Sequence, residues 1–293
     1  MLIAIGSLLG LLGCLAIFFL IPYSKTRKEF KSLREKMVKE AGFDHQVFIK
    51  ADLADLPHPV KKYFDYCGYL GTPKMVAMKS SCEKVKFRFG RKTNPISIDY
   101  TQYNFTQEPA RIAYIDSSKL GIPFEGLDSF TGGKGSMKGV LGKLITLFHQ
   151  TGKAMNKASL VTYLSECLIV PSAALQTFIS WEEVDDRHVR ATISSFDEQA
   201  CGIFAFDEKG EMLSFTTDDR EAPSADGHSE KVRWTAVFKE YQESDGVLKP
   251  TRFQAIWHYD EGDLLYFDAK EVKIEFDPQL SKRTIDEEND ADI

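Results

Sequence analysis

The chain has 293 residues, 43% of them hydrophobic and 27% charged, which is enough apolar material for a sizeable buried core. Its formal net charge is −6, and that excludes a general nucleic-acid partner, because such proteins carry a basic surplus. The five cysteines, Cys14, Cys67, Cys82, Cys167 and Cys201, form no CxxC pair and no zinc-like spacing, so they read as free thiols and call for no metal.

Residues 2–22 contain no charge. At about 1.5 Å per residue they cover about 30 Å, one hydrocarbon core, and predict a transmembrane anchor over residues 1–23. A cleaved signal peptide is the alternative, but it requires a basic n-region that this N-terminus lacks. Residues 24–50 then predict a basic juxtamembrane helix. Its Lys25, Arg27, Lys28, Lys31, Arg34, Lys36 and Lys39 place the following domain in the cytoplasm by the positive-inside rule, with a periplasmic or extracellular domain as the alternative. Contact with anionic lipid heads is a further use for them, diluted by Glu29, Glu35 and Glu40.

Residues 51–280 read as one antiparallel β-rich domain. It opens with a short helix: Pro57 and Pro59 bracket its start, Val60, Tyr63, Phe64 and Cys67 give it an apolar face, and Gly68, Gly71 and Pro73 end it. The period then changes to two. Val85, Phe87 and Phe89 alternate with Lys84, Lys86 and Arg88, and residues 96–106, 109–117 and 122–131 predict further strands. The glycine-rich stretch Gly132 to Gly142 fits no phosphate-loop spacing, since Leu144 stands where Ser or Thr would follow Lys143. It predicts tight turns and a glycine-bearing strand. Residues 143–158 predict a loop or a weak helix.

A central helix is expected over residues 159–170. Leu160, Tyr163, Leu164, Cys167 and Leu168 make one apolar stripe, Ser159 can cap its start, and Pro171 stops it. Trp181 then opens a strand. Clean alternation follows at Val189, Ala191 and Ile193, at Trp234, Ala236 and Phe238, and at Val272, Ile274 and Phe276. Turn chemistry at Asp185-Asp186, Lys209-Gly210, Asp245-Gly246 and Glu261-Gly262 makes these consecutive hairpins, about ten strands in all. No βαβ rhythm is present, so the fold class is mainly β (α+β), with a lone helix placed to plug or cover a curved sheet, preceded by one transmembrane helix. Residues 281–293 predict a disordered acidic tail.

An ordered series of residues carries a resemblance. Leu56-Pro57, Pro59-Val60, Tyr63-Phe64, Gly68, Gly71 and Pro73 come first, then Asp128, Gly133, Gly135 and Met137. Leu160, Tyr163-Leu164, Glu166 and Pro171 follow, and Trp181, Arg220, Trp234, Tyr241, Gly246, Pro250 and Trp257 complete it. Over about residues 52–277 the chain resembles a bacterial family of membrane-anchored proteins whose domain has no assigned function. It departs from that family at Thr162, where the resemblance implies a basic residue. The resemblance implies a fold similar to the half-open β-barrel of the lipoprotein carriers, and fold alone does not fix function.

The stripe residues Leu160, Tyr163, Leu164, Cys167 and Leu168 are expected to face the concave side of the sheet, with Trp181, Trp234, Phe238 and Trp257 as the facing aromatic wall. Together they form the candidate ligand-binding set, and plain core packing is the alternative. The polar candidates are Glu166, Arg220 and His258. Glu166 lies off the stripe and faces water if only the stripe packs on the sheet; if the helix is buried on both sides it needs a partner, for which Arg220 is the candidate. His258 faces a cavity or is solvated. No HExxH, no GxSxG and no histidine pair at metal spacing occurs, so no catalytic residue and no cofactor is assigned. Three functions remain open: a membrane-tethered binding module for an apolar ligand such as a lipid or lipoprotein, a hydrolase using Glu166, Asp128 or His258, and a structural domain at the membrane with no small ligand.

Overall fold

The computed structural model describes residues 2–119, 121–223 and 229–277. It opens with α1 (Leu2–Leu20) and α2 (Lys25–Ala41), and a single 3-10 turn, Lys50–Leu53, precedes α3 (His58–Cys67). Six strands follow: β1 (Ala77–Phe87), β2 (Ile96–Phe105), β3 (Ala110–Lys119), β4 (Ile122–Thr131), β5 (Lys134–Leu141) and β6 (Ile145–Gln150). The central helix α4 (Lys153–Glu166) and a short α5 (Pro171–Ala174) separate these from β7 (Ile179–Asp185), β8 (His188–Ser195), β9 (Glu198–Phe206) and β10 (Met212–Thr217). The chain continues through β11 (Glu221–Pro223), β12 (Ser229–Lys231), β13 (Arg233–Ser244), β14 (Val247–Tyr259), β15 (Gly262–Ala269) and β16 (Lys273–Phe276).

The mainly β class holds, with more strands than alternation alone suggests. Fourteen strands form one open antiparallel sheet in the order β6-β5-β4-β3-β2-β1-β15-β14-β13-β10-β9-β8-β7, with β16 beside β1, while β11 and β12 pair separately. The sheet must curl. Eight strands lie between β5 and β9, so at about 4.8 Å per strand a flat sheet would set those two about 43 Å apart. Yet α4, about 10 Å across, packs on both. Antiparallel alternation gathers the β1–β2, β3–β4, β5–β6 and β14–β15 turns at one end, called the rim below. Arg91 of the β1–β2 turn bonds Glu261 of the β14–β15 turn and covers the Tyr259 ring there. At the far end sit α3 and α5: Gly68 approaches Gly246 in the β13–β14 turn, and Met75 N–H donates to Ser172 Oγ.

Helix α3 ends as its sequence dictates. Gly68 takes φ +77° and its N–H returns to the Phe64 carbonyl. Helix α4 differs from the expected 159–170. It begins at Lys153, because Lys153 to Ala158 are largely strong helix formers and Gly152, at φ +95°, breaks the chain just before them. Ser159 is therefore a buried mid-helix residue and no cap. The helix ends at Glu166, where Cys167 N–H bonds to the Leu164 carbonyl, and Pro171 opens α5 instead of merely stopping α4. The segment 143–158, expected as loop or weak helix, holds β6 and the first turns of α4.

Both faces of the curled sheet are covered. On the inner face α3, α4 and α5 enter the larger core cluster, in which Val60, Tyr63, Leu160, Leu164 and Leu168 are fully buried. On the outer face α2 lays Phe30, Met37 and Ala41 over Tyr103, Phe105, Ile112, Tyr114 and Leu127 of β2, β3 and β4. The basic segment is thus part of the domain's packing. Ser24 caps α2 by accepting from Arg27 N–H, and Arg27 pairs with Asp116 at 2.6 Å. Among the described residues no helix is long and apolar enough to cross a membrane. Helix α1 forms where the anchor is expected, but several of its side chains, and the tail at 281–293, lie outside the described residues.

Candidate functional site

The expected stripe is where the helical period puts it, on the inner face. Leu160, Tyr163, Leu164, Cys167 and Leu168 are all fully buried, and two hydroxyls lock the helix end: Tyr163 donates to the Phe105 carbonyl at 2.8 Å, and Tyr63 to the Leu168 carbonyl at 3.1 Å. Burial pushes the Tyr163 and Cys167 pKa values up, which makes Cys167 an inert thiol. Near its start α4 rests directly on β5. A Cβ on Gly135 would lie 2.4 Å from the Met155 carbonyl oxygen, so only glycine admits the helix at that depth.

The aromatic wall divides. Trp181 is half-buried against Phe204 and donates to the Ala174 carbonyl, on the β7–β9 side. Phe238 packs edge-to-face on Phe253. Trp234 and Trp257 meet α4 through its other flank: Arg220 lies 4.5 Å and 5.6 Å from their ring centres and donates to Thr162 Oγ1 at 2.9 Å. The position where the resemblance implied a basic residue thus accepts a hydrogen bond from one. His258 points to the outer face, where its ring bonds Thr235 and Asp263. It lies opposite Trp257 in the strand alternation and does not reach the interior.

With both flanks of α4 covered, Glu166 needs a cation, and that cation is Arg111 rather than Arg220. Arg111, on β3, is almost fully buried. Its Nη1 donates to Asp128 Oδ2 at 2.7 Å, its Nη2 to Gln102 Oε1 at 2.8 Å and Tyr100 Oη at 3.1 Å, and its Nε stands 3.8 Å from Glu166 Oε2. Gln102 Nε2 and Asn104 Nδ2 each donate to the same Glu166 oxygen at 2.7 Å. Burial raises the Glu166 pKa, against the pull of Arg111 and the two amides. Burial alone would lower that of Arg111, but Asp128, Tyr100 and Glu166 outweigh it and the guanidinium stays charged. Two buried atoms, Arg111 Nε and Asp128 Oδ1, have no hydrogen-bond partner. Sequence reading missed Arg111, a lone arginine in the apolar first half of its strand.

Between this polar floor and the rim the inner face is aromatic. Rings run without a break from Trp257 to Tyr266 (6.0 Å), Phe87 (6.1 Å) and Phe89 (5.1 Å), and from Phe89 to Phe124 (5.8 Å) and Phe148 (6.4 Å). Glycines make the space, since Phe148 lies over Gly139, where a Cβ would meet the ring at 2.4 Å. Tyr100, Phe87, Phe124, Phe148 and Tyr266 are only half-buried, and the Asp128 and Glu166 side chains keep 18% and 15% exposure. These partly exposed inner-face residues set aromatic rings beside a few convergent polar groups within reach of solvent, the composition usual in a small-molecule site. A polar pocket of about 310 Å³ lies at the far end, where Lys74 bonds Asp52 and Gln46 beside Thr106, Ser172 and Gln176. Among the described residues no group of three or more His, Cys, Asp or Glu is placed to hold a metal ion.

Comparison with known proteins adds the following. No curated protein matches the chain. It is distantly similar to three solved structures. One is a domain described as an outer membrane lipoprotein-sorting protein from Vibrio parahaemolyticus, at 10% identity and TM-score 0.40 over 68% of this chain and 85% of that one. Another is the LolA superfamily protein NE2245 from Nitrosomonas europaea, at 11% and 0.35 over 73% and 91%. The third is a DUF1329 family protein from Desulfovibrio piger, at 13% and 0.40 over 76% and 95%. Residues 46–269 match a family described as one of unknown function, DUF6544, and the chain belongs to that family.

Proposed function

We propose that this DUF6544 chain is a membrane-held binding module that takes the apolar part of an amphiphile, a lipid or a lipidated chain, into the aromatic end of its curled sheet. The observation that supports this most directly is the ring series that leaves buried Trp257 through the part-exposed Tyr266, Phe87, Phe89, Phe124 and Phe148, above the floor of Arg111, Asp128 and Glu166. Apolar rings would hold the chain, and the floor and Arg220 would hydrogen-bond its polar end. The set expected from the sequence enters this reading in part: the buried Trp234 and Trp257 back the ring series from beneath, while the leucine stripe anchors the helix that floors it. Helix α1, without a charged residue, serves as the tether, and the basic residues after it keep the domain on the cytoplasmic side.

The hydrolase reading loses its convergence, because Glu166 and Asp128 are tied to Arg111 while His258 lies on the outer face. The structural reading keeps one observation of its own, the close seating of α4 on Gly135. Titration with a fluorescent acyl probe separates the two. The wild-type chain should bind it saturably. Phe89→Asp, at a 45% exposed position of the ring series, should weaken binding about tenfold, since losing one aromatic contact costs about 1.5 kcal/mol. Absence of saturable binding by the wild type overturns the proposal and leaves a packed domain without a small ligand.

A further inference from the structure

Four large apolar side chains stand exposed together at the rim: Leu144 (69%), Ile145 (61%) and Leu147 (54%) around the β5–β6 turn, and Ile122 at the start of β4. Strand β6 is an edge of the sheet, and an apolar edge left in water is a liability that a fold must cover. The same turn holds the end of α1. Lys143 Nζ donates to the carbonyls of Phe18, Phe19 and Ile21, so a buried cation caps the helix C-terminus. Lys143 takes φ +64° to do so, a left-handed conformation that a lysine adopts only when its surroundings enforce it. Beyond that cap the apolar surface continues over Leu20, Ile21 and Tyr23, which are exposed, and reaches the exposed Lys25 and Lys28 at the start of α2.

We infer that Leu144, Ile145, Leu147 and Ile122 dip into the same bilayer that holds α1, so that the rim of the aromatic chamber opens onto lipid. A bilayer is favoured over a second copy of the chain for two reasons. The patch is continuous with an uncharged helix of 19 residues, α1. Lysines border it at the level where head groups would lie. Lys143 then acts as a rivet that fixes the helix axis against the sheet, which makes the depth of the rim a property of the fold. The inference rests on the tether reading above, and the test keeps the two apart.

The full chain is reconstituted into phosphatidylcholine vesicles carrying brominated acyl chains, and tryptophans are introduced one at a time at exposed positions. Leu144→Trp and Leu147→Trp should lose most of their added emission to bromine. Val184→Trp, on the opposite edge strand, should lose none. Ile17→Trp reports the tether. Quenching at Ile17→Trp without quenching at Leu144→Trp or Leu147→Trp overturns the rim while leaving the tether in place. No quenching at Ile17→Trp overturns both. Concentration-dependent self-association in detergent that protects Leu144→Trp and Leu147→Trp from a soluble quencher assigns the patch to a second copy and overturns the rim as well.

Discussion

The two faces of β2, β3 and β4 are built on opposite plans. The outer face carries Tyr103, Phe105, Ile112, Tyr114 and Leu127 under α2, and its one deeply buried acid, Glu125, is held by hydroxyls, accepting from Ser24 at 2.6 Å and Tyr114 at 2.5 Å. The inner face of the same strands carries Gln102, Asn104, Arg111 and Asp128 beneath α4. A half-buried strand ordinarily turns its polar residues to water. Here the apolar parity faces outward because α2 covers it, and the polar parity faces inward because it has a partner on α4. Buried ion groups of this kind add little net stability compared with apolar packing. The binding role proposed for them gives these groups a use that stability alone does not.

The strongest way to break that contrast is Arg111→Met, which leaves Asp128 and Glu166 without their cation and should cost about 3–5 kcal/mol in urea unfolding. Replacing the whole triad, Arg111→Met with Asp128→Leu and Glu166→Leu, should recover most of that loss while acyl-probe binding stays impaired. A triad variant that binds normally would make the network purely structural. On the other face Phe30→Ala should cost about 3 kcal/mol and leave the affinity for the probe unchanged, and a parallel fall in affinity would show the faces to be coupled.

Smaller effects sharpen the picture. Gly135→Ala should push α4 off β5 at about 1–3 kcal/mol, because the obstructing atom is the Met155 backbone carbonyl and cannot swing aside. Least costly is Glu166→Gln, whose value lies in its pH dependence. Burial raises the Glu166 pKa in the folded chain, so folding favours the protonated acid. That contribution is complete below the unfolded value of about 4.3 and is lost as pH rises through the higher folded value. The wild type should therefore lose midpoint temperature relative to Glu166→Gln as pH rises from the unfolded value through the higher folded one. A difference that moves the other way would mean that Arg111 dominates over burial.

These same strands show how far the sequence could be read. Helix α3, the hairpin turns and the strands after α4 were legible because proline, glycine and alternation act over a few residues. For Glu166 the sequence left two outcomes open, water if only the stripe packs on the sheet and a partner if the helix is buried on both sides. The partner itself was not legible. Arg111 lies 55 residues before Glu166 (166 − 111), on a strand whose neighbours are apolar on both parities, and local pattern carries no sign of which parity a distant helix will cover. Helix α2 was misjudged for the same reason: its many lysines hide the spacing of Phe30, Met37 and Ala41 that seats it on the sheet. The aromatic series was half visible, since Phe87 and Phe89 alternate in sequence, but their meeting with Phe124 and Phe148 depends on the curl.

Strand β1 has one further consequence, in time rather than in space. One of its edges is taken by β2, the next strand made, but the other waits for β15 and β16, which begin at Gly262 and Lys273. At about 5–20 residues per second a ribosome needs about ten to forty seconds to deliver them. For that interval the first half of the sheet stands with a raw inner edge, open to pairing with any other unfinished chain. Lys79, Lys84 and Lys86 lie along that strand. Charged side chains on a waiting edge keep it in water and discourage a wrong partner. Lys79 meets Glu275 at 2.6 Å once β16 arrives, so the same charge that guards the edge during synthesis marks the register in which it closes.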